Sequence, residues 1–298
     1  MSYFQAIVMG ILQGVTELFP VSSLGHGVLV PALFGWHNLV GSENQSESFF
    51  LAFLVGLHVG TAVALIVYYR KTWVELGGGL FTSIKRREVT SSNQRLAWLL
   101  ICATIPVGIV GLAFEHKLRV LFASPKYAAI FLTLNGFVML AGELLRRRSV
   151  ARHSPHLAIG DAEAEAQAEP RYRLETLPLG QGVMVGAAQI FALLAGISRS
   201  GITMVAGLIR GLDHEDAARF SFLLATPVIL AAGIYKLPDM LGSNGNGVRG
   251  QILVGSICAG LAAYASIRFL VRYFATKTLW PFAIYCLVAG GLCIIKFA

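Results

Sequence analysis

Six stretches of the chain are almost continuously apolar over roughly 20 residues, at about 50–69, 96–114, 127–145, 217–236, 250–274 and 279–296. A helix needs about 20 residues to cross the hydrocarbon layer, and its backbone finds no water there to bond. Each stretch is therefore predicted to be a transmembrane helix. Two further stretches are apolar but interrupted. The first, 3–36, contains Gln13, Glu17, Pro20, Ser22, Ser23 and His26; the second, 177–212, contains Gln189, Ser198, Arg199, Ser200 and Thr203. A polar break at membrane depth is tolerated only where protein or a wet cavity covers it. Each interrupted stretch is thus predicted to be two short helices that enter the membrane and turn back.

The polar segments set an orientation. Arg70, Lys71, Lys85, Arg86, Arg87 and Arg95 follow the first span, in what reads as a loop; Arg146, Arg147, Arg148, Arg152, Arg171 and Arg173 follow the third. Two spans separate these groups, so both lie on one side, which basic residues mark as cytoplasmic. Arg268, Arg272 and Lys277 fall on the same side, whereas Lys117, Arg119 and Lys126, in 115–126, fall on the other. The stretch 149–176 carries Ala-Glu repeats around Asp161–Glu169 and then Pro170. Its composition predicts a flexible cytoplasmic linker.

The linker divides the chain into 1–148 and 177–298, each with one interrupted stretch followed by three spans. Three is odd, so the second half begins on the opposite side from the first. Gly10, Gln13, Ser22 and Gly25 stand at offsets 0, 3, 12 and 15, and Gly186, Gln189, Ser198 and Gly201 repeat those offsets. The fold class predicted is an all-α polytopic membrane protein of two inverted-topology repeats, each a re-entrant helix pair plus three transmembrane helices. Both termini are then expected outside.

Composition narrows the functions. Of 298 residues, 55% are hydrophobic and 13% charged, about half the charge of a soluble domain. The net charge of +8 lies between apolar runs, which fits membrane loops and argues against nucleic acid. Cys102, Cys258, Cys286 and Cys293 lie inside apolar runs without CxxC spacing, so neither a disulfide framework nor a zinc site is expected. The first basic residue is Arg70, so the early apolar stretch lacks the basic region of a signal peptide and is expected to belong to the fold.

Ionisable groups at membrane depth are costly and so are candidates for function. Glu17, His26 and Arg199 are such groups. Gln13 and Glu17 are four apart and share a helix face. Arg199 is flanked by Ser198 and Ser200, and Gly196 and Gly201 allow a tight turn there. A helix starting near Ser200 would present its positive end to an anion. Arginine forks onto phosphate oxygens, histidine moves protons, and hydroxyls donate to or attack phosphorus. Glutamate orients a nucleophile or holds a divalent cation, Mg2+ or Ca2+, with Glu17 the expected ligand. This set suits phosphoryl transfer better than acyl or redox chemistry. Blander readings exist: Glu17 and Arg199 as a structural ion pair, His26 as a packing residue, the serines as helix caps. His58, within the apolar run 50–69, reads either as a second polar group facing the site or, as is more usual, as bonding a neighbouring helix. His214, Glu215 and Asp216 read as a solvated loop and helix start.

Gln13-Gly-Val-Thr-Glu17-Leu-Phe-Pro20-Val-Ser22-Ser23-Leu-Gly25-His26 resembles the first signature of the bacitracin-resistance type undecaprenyl-diphosphate phosphatases, and Gly196-Ile-Ser198-Arg199-Ser200-Gly-Ile-Thr203 resembles their second. Phe220-Ser-Phe-Leu-Leu-Ala and Pro281-Phe-Ala-Ile-Tyr285 extend the similarity over nearly the whole chain. The resemblance implies an enzyme of the bacterial inner membrane, open to the periplasm, that converts undecaprenyl diphosphate to the monophosphate used in peptidoglycan synthesis. It implies Glu17, Ser23, His26 and Arg199 as catalytic residues. Ser198, Ser200 and Thr203 match its phosphate-binding stretch, with Gln13 and Ser22 beside the substrate. Its partners are membrane lipid and a polyprenyl diphosphate, with room for a homodimer. Gln13 stands where many members have Glu, which weakens a two-carboxylate metal site; Ala195 stands where Pro is usual. The alternative is a transporter or flippase for an anionic or lipid-linked substrate, which also uses inverted repeats with broken helices.

Overall fold

The computed structural model describes residues 1–36, 39, 49–122, 124–153, 172–241 and 247–297. Among these, all regular structure is helical. The first half contributes α1 (Tyr3–Thr16), α2 (Ser23–Leu33), α3 (Phe49–Tyr68), α4 (Arg70–Arg86), α5 (Ser92–Phe122) and α6 (Pro125–His153). The second contributes α7 (Leu179–Ala187), α8 (Arg199–Ile209), α9 (His214–Leu241), α10 (Arg249–Phe274) and α11 (Trp280–Phe297). Short 3-10 turns occupy Leu174–Thr176 and Ala188–Leu193.

Five stretches are long and apolar enough to cross a membrane: Ser92–Phe114, Pro125–Arg148, His214–Tyr235, Arg249–Phe274 and Trp280–Phe297. A sixth forms if Phe53–Tyr68 and Arg70–Arg86, bent by 83° to each other, count as one. The chain is a multi-pass membrane protein. Its surface is correspondingly apolar: Ile109, Leu112, Phe137, Leu253, Leu261, Leu292 and Ile295 are exposed, whereas Glu17, His26, Asn135, Glu143 and His214 are buried. Polar groups turn inward because lipid offers them no partner.

Two expectations need correction. The segment 70–95 is not simply a loop, since α4 fills most of it. Its charges do not prevent a helix because they sit apart from an apolar side: Leu76 is buried, and Trp73 and Leu80 pack on the core. Trp98 Nε1 donates to Ser83 Oγ at 2.9 Å and pins α4 to α5. Helix α5 also extends beyond the span expected at 96–114, running through Phe122. Finally, His214 and Asp216 are buried rather than solvated. His214 Nε2 lies 2.7 Å from Glu143 Oε1, which also accepts from the Leu279 N–H at 2.6 Å. Asp216 accepts from the Leu174 N–H at 3.0 Å. Charged residues at a helix start look solvated in one dimension; packing against α6 and the 3-10 turn reverses that. The linker expectation falls mostly on 154–171, outside the described residues, while α6 carries its first residues as helix to His153.

The two halves interlock by exchange. Helix α1 packs along α10 of the second half, and α7 packs along α5 of the first. Gly10 and Gly186 make these crossings close: a Cβ on Gly10 would strike the Gly255 carbonyl, and one on Gly186 the Ala103 carbonyl. Both glycines occupy the same offset in the repeated pattern. Where a small residue meets a facing backbone, two helices approach closely enough for extensive van der Waals contact.

Candidate active site

Both chain breaks lie at the junction between the halves. Helix α1 ends at Thr16, and Glu17 sits at its C-terminal cap. Helix α2 starts at Ser23 after Ser22, whose backbone has φ 70. Ser22 Oγ accepts from the Gly25 N–H at 3.2 Å and so caps α2. In the second break Ser198 caps α8 by accepting from the Gly201 N–H at 3.1 Å. Capping hydroxyls here have the ordinary role of serine at a helix start. Gly196 provides the turn before it, with φ 111, which an L side chain rarely adopts.

The breaks are also stitched to each other. The Gly196 N–H donates to Ser22 Oγ at 3.2 Å, and Ser200 Oγ donates to the Phe19 carbonyl at 3.1 Å. Asn135, from α6, bridges them: its Nδ2 donates to the Pro20 carbonyl at 3.1 Å, and its Oδ1 accepts from the Ser198 N–H at 3.0 Å. Two lengths of non-helical backbone thereby satisfy their polar groups inside the protein, as membrane depth requires.

This stitching brings Glu17 to Arg199. Arg199 Nη2 donates to Glu17 Oε1 at 3.2 Å, and its Nη1 donates to the Ser221 carbonyl at 3.1 Å. Arg199 Nε is buried without a hydrogen-bond partner among the described residues. On the other carboxylate oxygen, Oε2, Ser23 Oγ donates at 2.5 Å and Gln13 Nε2 at 3.0 Å. Ser23 is half-buried, at the first turn of α2. A cavity of about 340 Å3 opens here, lined on its polar side by Glu17, Ser22, Ser23, His58, Ser198 and Arg199. Leu54, Val55, Val228, Ile229 and Ala232 make its apolar wall. The starts of α2 and α8 both border it, so two positive helix ends converge on one polar space.

Not every expected residue joins the cavity. His26 does not line it: Nδ1 donates to the Ser22 carbonyl at 2.7 Å, and Nε2 lies 2.7 Å from Tyr285 Oη. It ties the start of α2 to α11. Thr203 Oγ1 donates back to the Arg199 carbonyl at 2.7 Å, within its own helix. Ser200 is fully buried between the breaks. Two residues of consequence lie outside the expected site set, His58 because the sequence favoured the packing reading for it, and Asn135 because it was not singled out. His58 lines the cavity with Nε2 3.5 Å from Glu17 Oε2. Asn135 is an uncharged amide in an apolar run; the signal for it was only that an Asn inside a membrane helix needs a partner.

Glu17, the residue expected to hold a divalent cation, is already surrounded by hydrogen-bond donors. Among the described residues, no three His, Cys, Asp or Glu side chains gather as ligands. The one carboxylate, Glu17, is ringed by groups that donate to it, Gln13, Ser23 and Arg199. A hard cation needs several oxygen ligands at once, so one held by Glu17 would draw the others from substrate phosphate and water.

Comparison with known proteins agrees with the geometry. A family model described as bacitracin resistance protein BacA matches residues 6–292. The chain is 56% identical to the undecaprenyl-diphosphatase of Mycolicibacterium paratuberculosis, over 100% of this chain and 98% of the relative. It is 53% identical to undecaprenyl-diphosphatase 2 of Frankia alni, with the same coverage. The undecaprenyl-diphosphatase 2 of Chromobacterium violaceum is 42% identical, covering 97% of both chains.

Proposed function

The chain belongs to the bacitracin resistance protein BacA family, and from that premise we propose that it hydrolyses undecaprenyl diphosphate to undecaprenyl phosphate and inorganic phosphate, recycling the lipid carrier for cell-wall synthesis. The observation that carries this reading is the convergence of Ser23 and Arg199 on one carboxylate, Glu17, beside a cavity with one polar and one apolar side. The diphosphate lies on the polar side, and the isoprenoid chain leaves along Leu54, Val55, Val228 and Ile229.

In the reaction an oxygen nucleophile, the Ser23 hydroxyl or a water beside it, forms a bond to the terminal phosphorus and gives its proton to Glu17. The bond from that phosphorus to the bridging oxygen breaks, and its electron pair leaves on the lipid monophosphate. If Ser23 attacks, water then hydrolyses the phosphoserine and restores the hydroxyl. Arg199 and the two helix ends carry the negative charge that builds on the phosphoryl oxygens, a form of stabilisation often worth the most in such sites. The unpartnered Arg199 Nε gains an acceptor once a phosphoryl oxygen arrives. Gln13 orients Glu17, Ser22 and Ser198 fix the two helix starts, and Ser200, Thr203 and His26 hold them in place.

The reciprocal packing of α1 on α10 and α7 on α5 supports two inverted repeats with re-entrant pairs. The basic segments support a cytoplasmic side carrying Arg70, Arg86 and Lys277, in the bacterial inner membrane, with the cavity open toward the periplasm. Detergent-purified protein given undecaprenyl diphosphate should release inorganic phosphate. Steady lipid movement without hydrolysis would favour the flippase reading instead.

A further inference from the structure

His58 stands on α3, a helix outside both breaks, and nothing in the two signature segments points to it. Its Nδ1 donates to the Leu54 carbonyl, one turn back, at 2.8 Å. That bond fixes the plane of the ring. It directs Nε2 at Glu17 Oε2, 3.5 Å away, and the ring lines the cavity. The Leu54 carbonyl at one nitrogen and the Glu17 carboxylate near the other are both acceptors.

The oxygen it faces is the one that matters. Glu17 Oε1 is taken by Arg199, which leaves Oε2 to receive the Ser23 hydrogen. Gln13 approaches Oε2 from α1. Arg199 and Gln13 hold the carboxylate from α8 and α1, and His58 is the side chain that approaches Oε2 from α3. We propose that His58 is a positioning residue of this enzyme: an N–H donor from α3 that holds Glu17 Oε2 on Ser23. The role rests on the phosphatase reading for its kinetic consequence, but not for its geometry.

Two measurements test it on detergent-purified, monodisperse full-length protein. In the first, phosphate release from undecaprenyl diphosphate is compared for wild type, His58→Ala and His58→Gln. His58→Ala should lower kcat by about 100-fold, the cost of misplacing a reacting group by about 1 Å, with KM little changed. His58→Gln, whose amide also donates, should recover most of that loss. A rise in KM alone, or a glutamine variant as slow as the alanine one, would overturn the proposal. In the second, the infrared carboxylate band of Glu17, identified by its loss in Glu17→Gln, is followed in the same variants. It should shift in His58→Ala and return in His58→Gln; an unmoved band in His58→Ala overturns the proposal whatever the substrate. A band that shifts in His58→Ala while the wild-type protein releases no phosphate would refute the phosphatase reading and leave the His58–Glu17 contact standing.

Discussion

Arg199 reaches across 182 residues of sequence to donate to Glu17 Oε1, and this contact joins the two breaks in the chain. Both side chains are largely buried, at 13% and 6% exposure. A buried pair is a poor source of net stability, because desolvation offsets attraction, yet losing one partner strands the other. Under the proposed function, the pair serves the reaction rather than the stability of the fold.

Arg199→Ala should lower kcat/KM by about 10²–10³-fold, roughly 2.7–4 kcal/mol, as for other preorganised donors on a developing anion. Arg199→Lys should recover little, since an ammonium cannot contact Glu17 and a phosphate as a fork does. Stability should respond differently: Arg199→Ala alone leaves the buried Glu17 carboxylate without its guanidinium, and the double variant Glu17→Gln/Arg199→Ala should unfold at higher temperature than Arg199→Ala. Phosphate release and thermal unfolding in detergent check the two claims.

Asn135→Leu removes the amide that serves both breaks and leaves the Ser198 N–H and the Pro20 carbonyl without it. Each buried group left unsatisfied costs about 1–3 kcal/mol. The variant should unfold several degrees earlier and lose activity, although Asn135 does not line the cavity. Thermal melts read beside phosphate release would show both changes together.

Glycine substitutions should separate by location. Gly10→Ala puts a Cβ into the Gly255 carbonyl and should push α1 off α10, at about 1–3 kcal/mol for an overpacked contact. Gly27 lies inside α2 with nothing within 4 Å of such a Cβ. Gly27→Ala should therefore be neutral or stabilise by about 0.4–1 kcal/mol through the unfolded chain. Melting temperatures of the two variants, measured side by side, decide it.

The Glu143–His214 pair should matter for stability alone. His214→Ala leaves the Glu143 carboxylate with the Leu279 N–H and no imidazole, at a buried position. Breaking such a pair costs about 3–5 kcal/mol. Protein that remains folded should keep its kcat, because neither residue lines the cavity. A fall in kcat without a fall in melting temperature would contradict this.

Much of this protein was legible along the chain because lipid imposes a strong rule. Long apolar runs must be helices, so the spans at 96–114, 127–145 and 250–274 could be placed from hydropathy. A polar break inside an apolar run must be covered, so Glu17, Ser23 and Arg199 stood out before any coordinate was known. Other features depended on what lay across from a residue. Whether charged residues 70–86 make a loop or a helix is decided by the apolar side that packs on the core, and His214 is buried because α6 presents Glu143 to it. His26 and His58 show the limit most clearly. Both are histidines in apolar surroundings, and sequence adjacency to Ser23 favoured His26. The fold turns His26 toward Tyr285 and brings His58 from α3 to Glu17. Hydropathy reports how a segment meets its solvent, whereas the direction of a side chain is fixed by helices distant in sequence, which only the packed structure brings together.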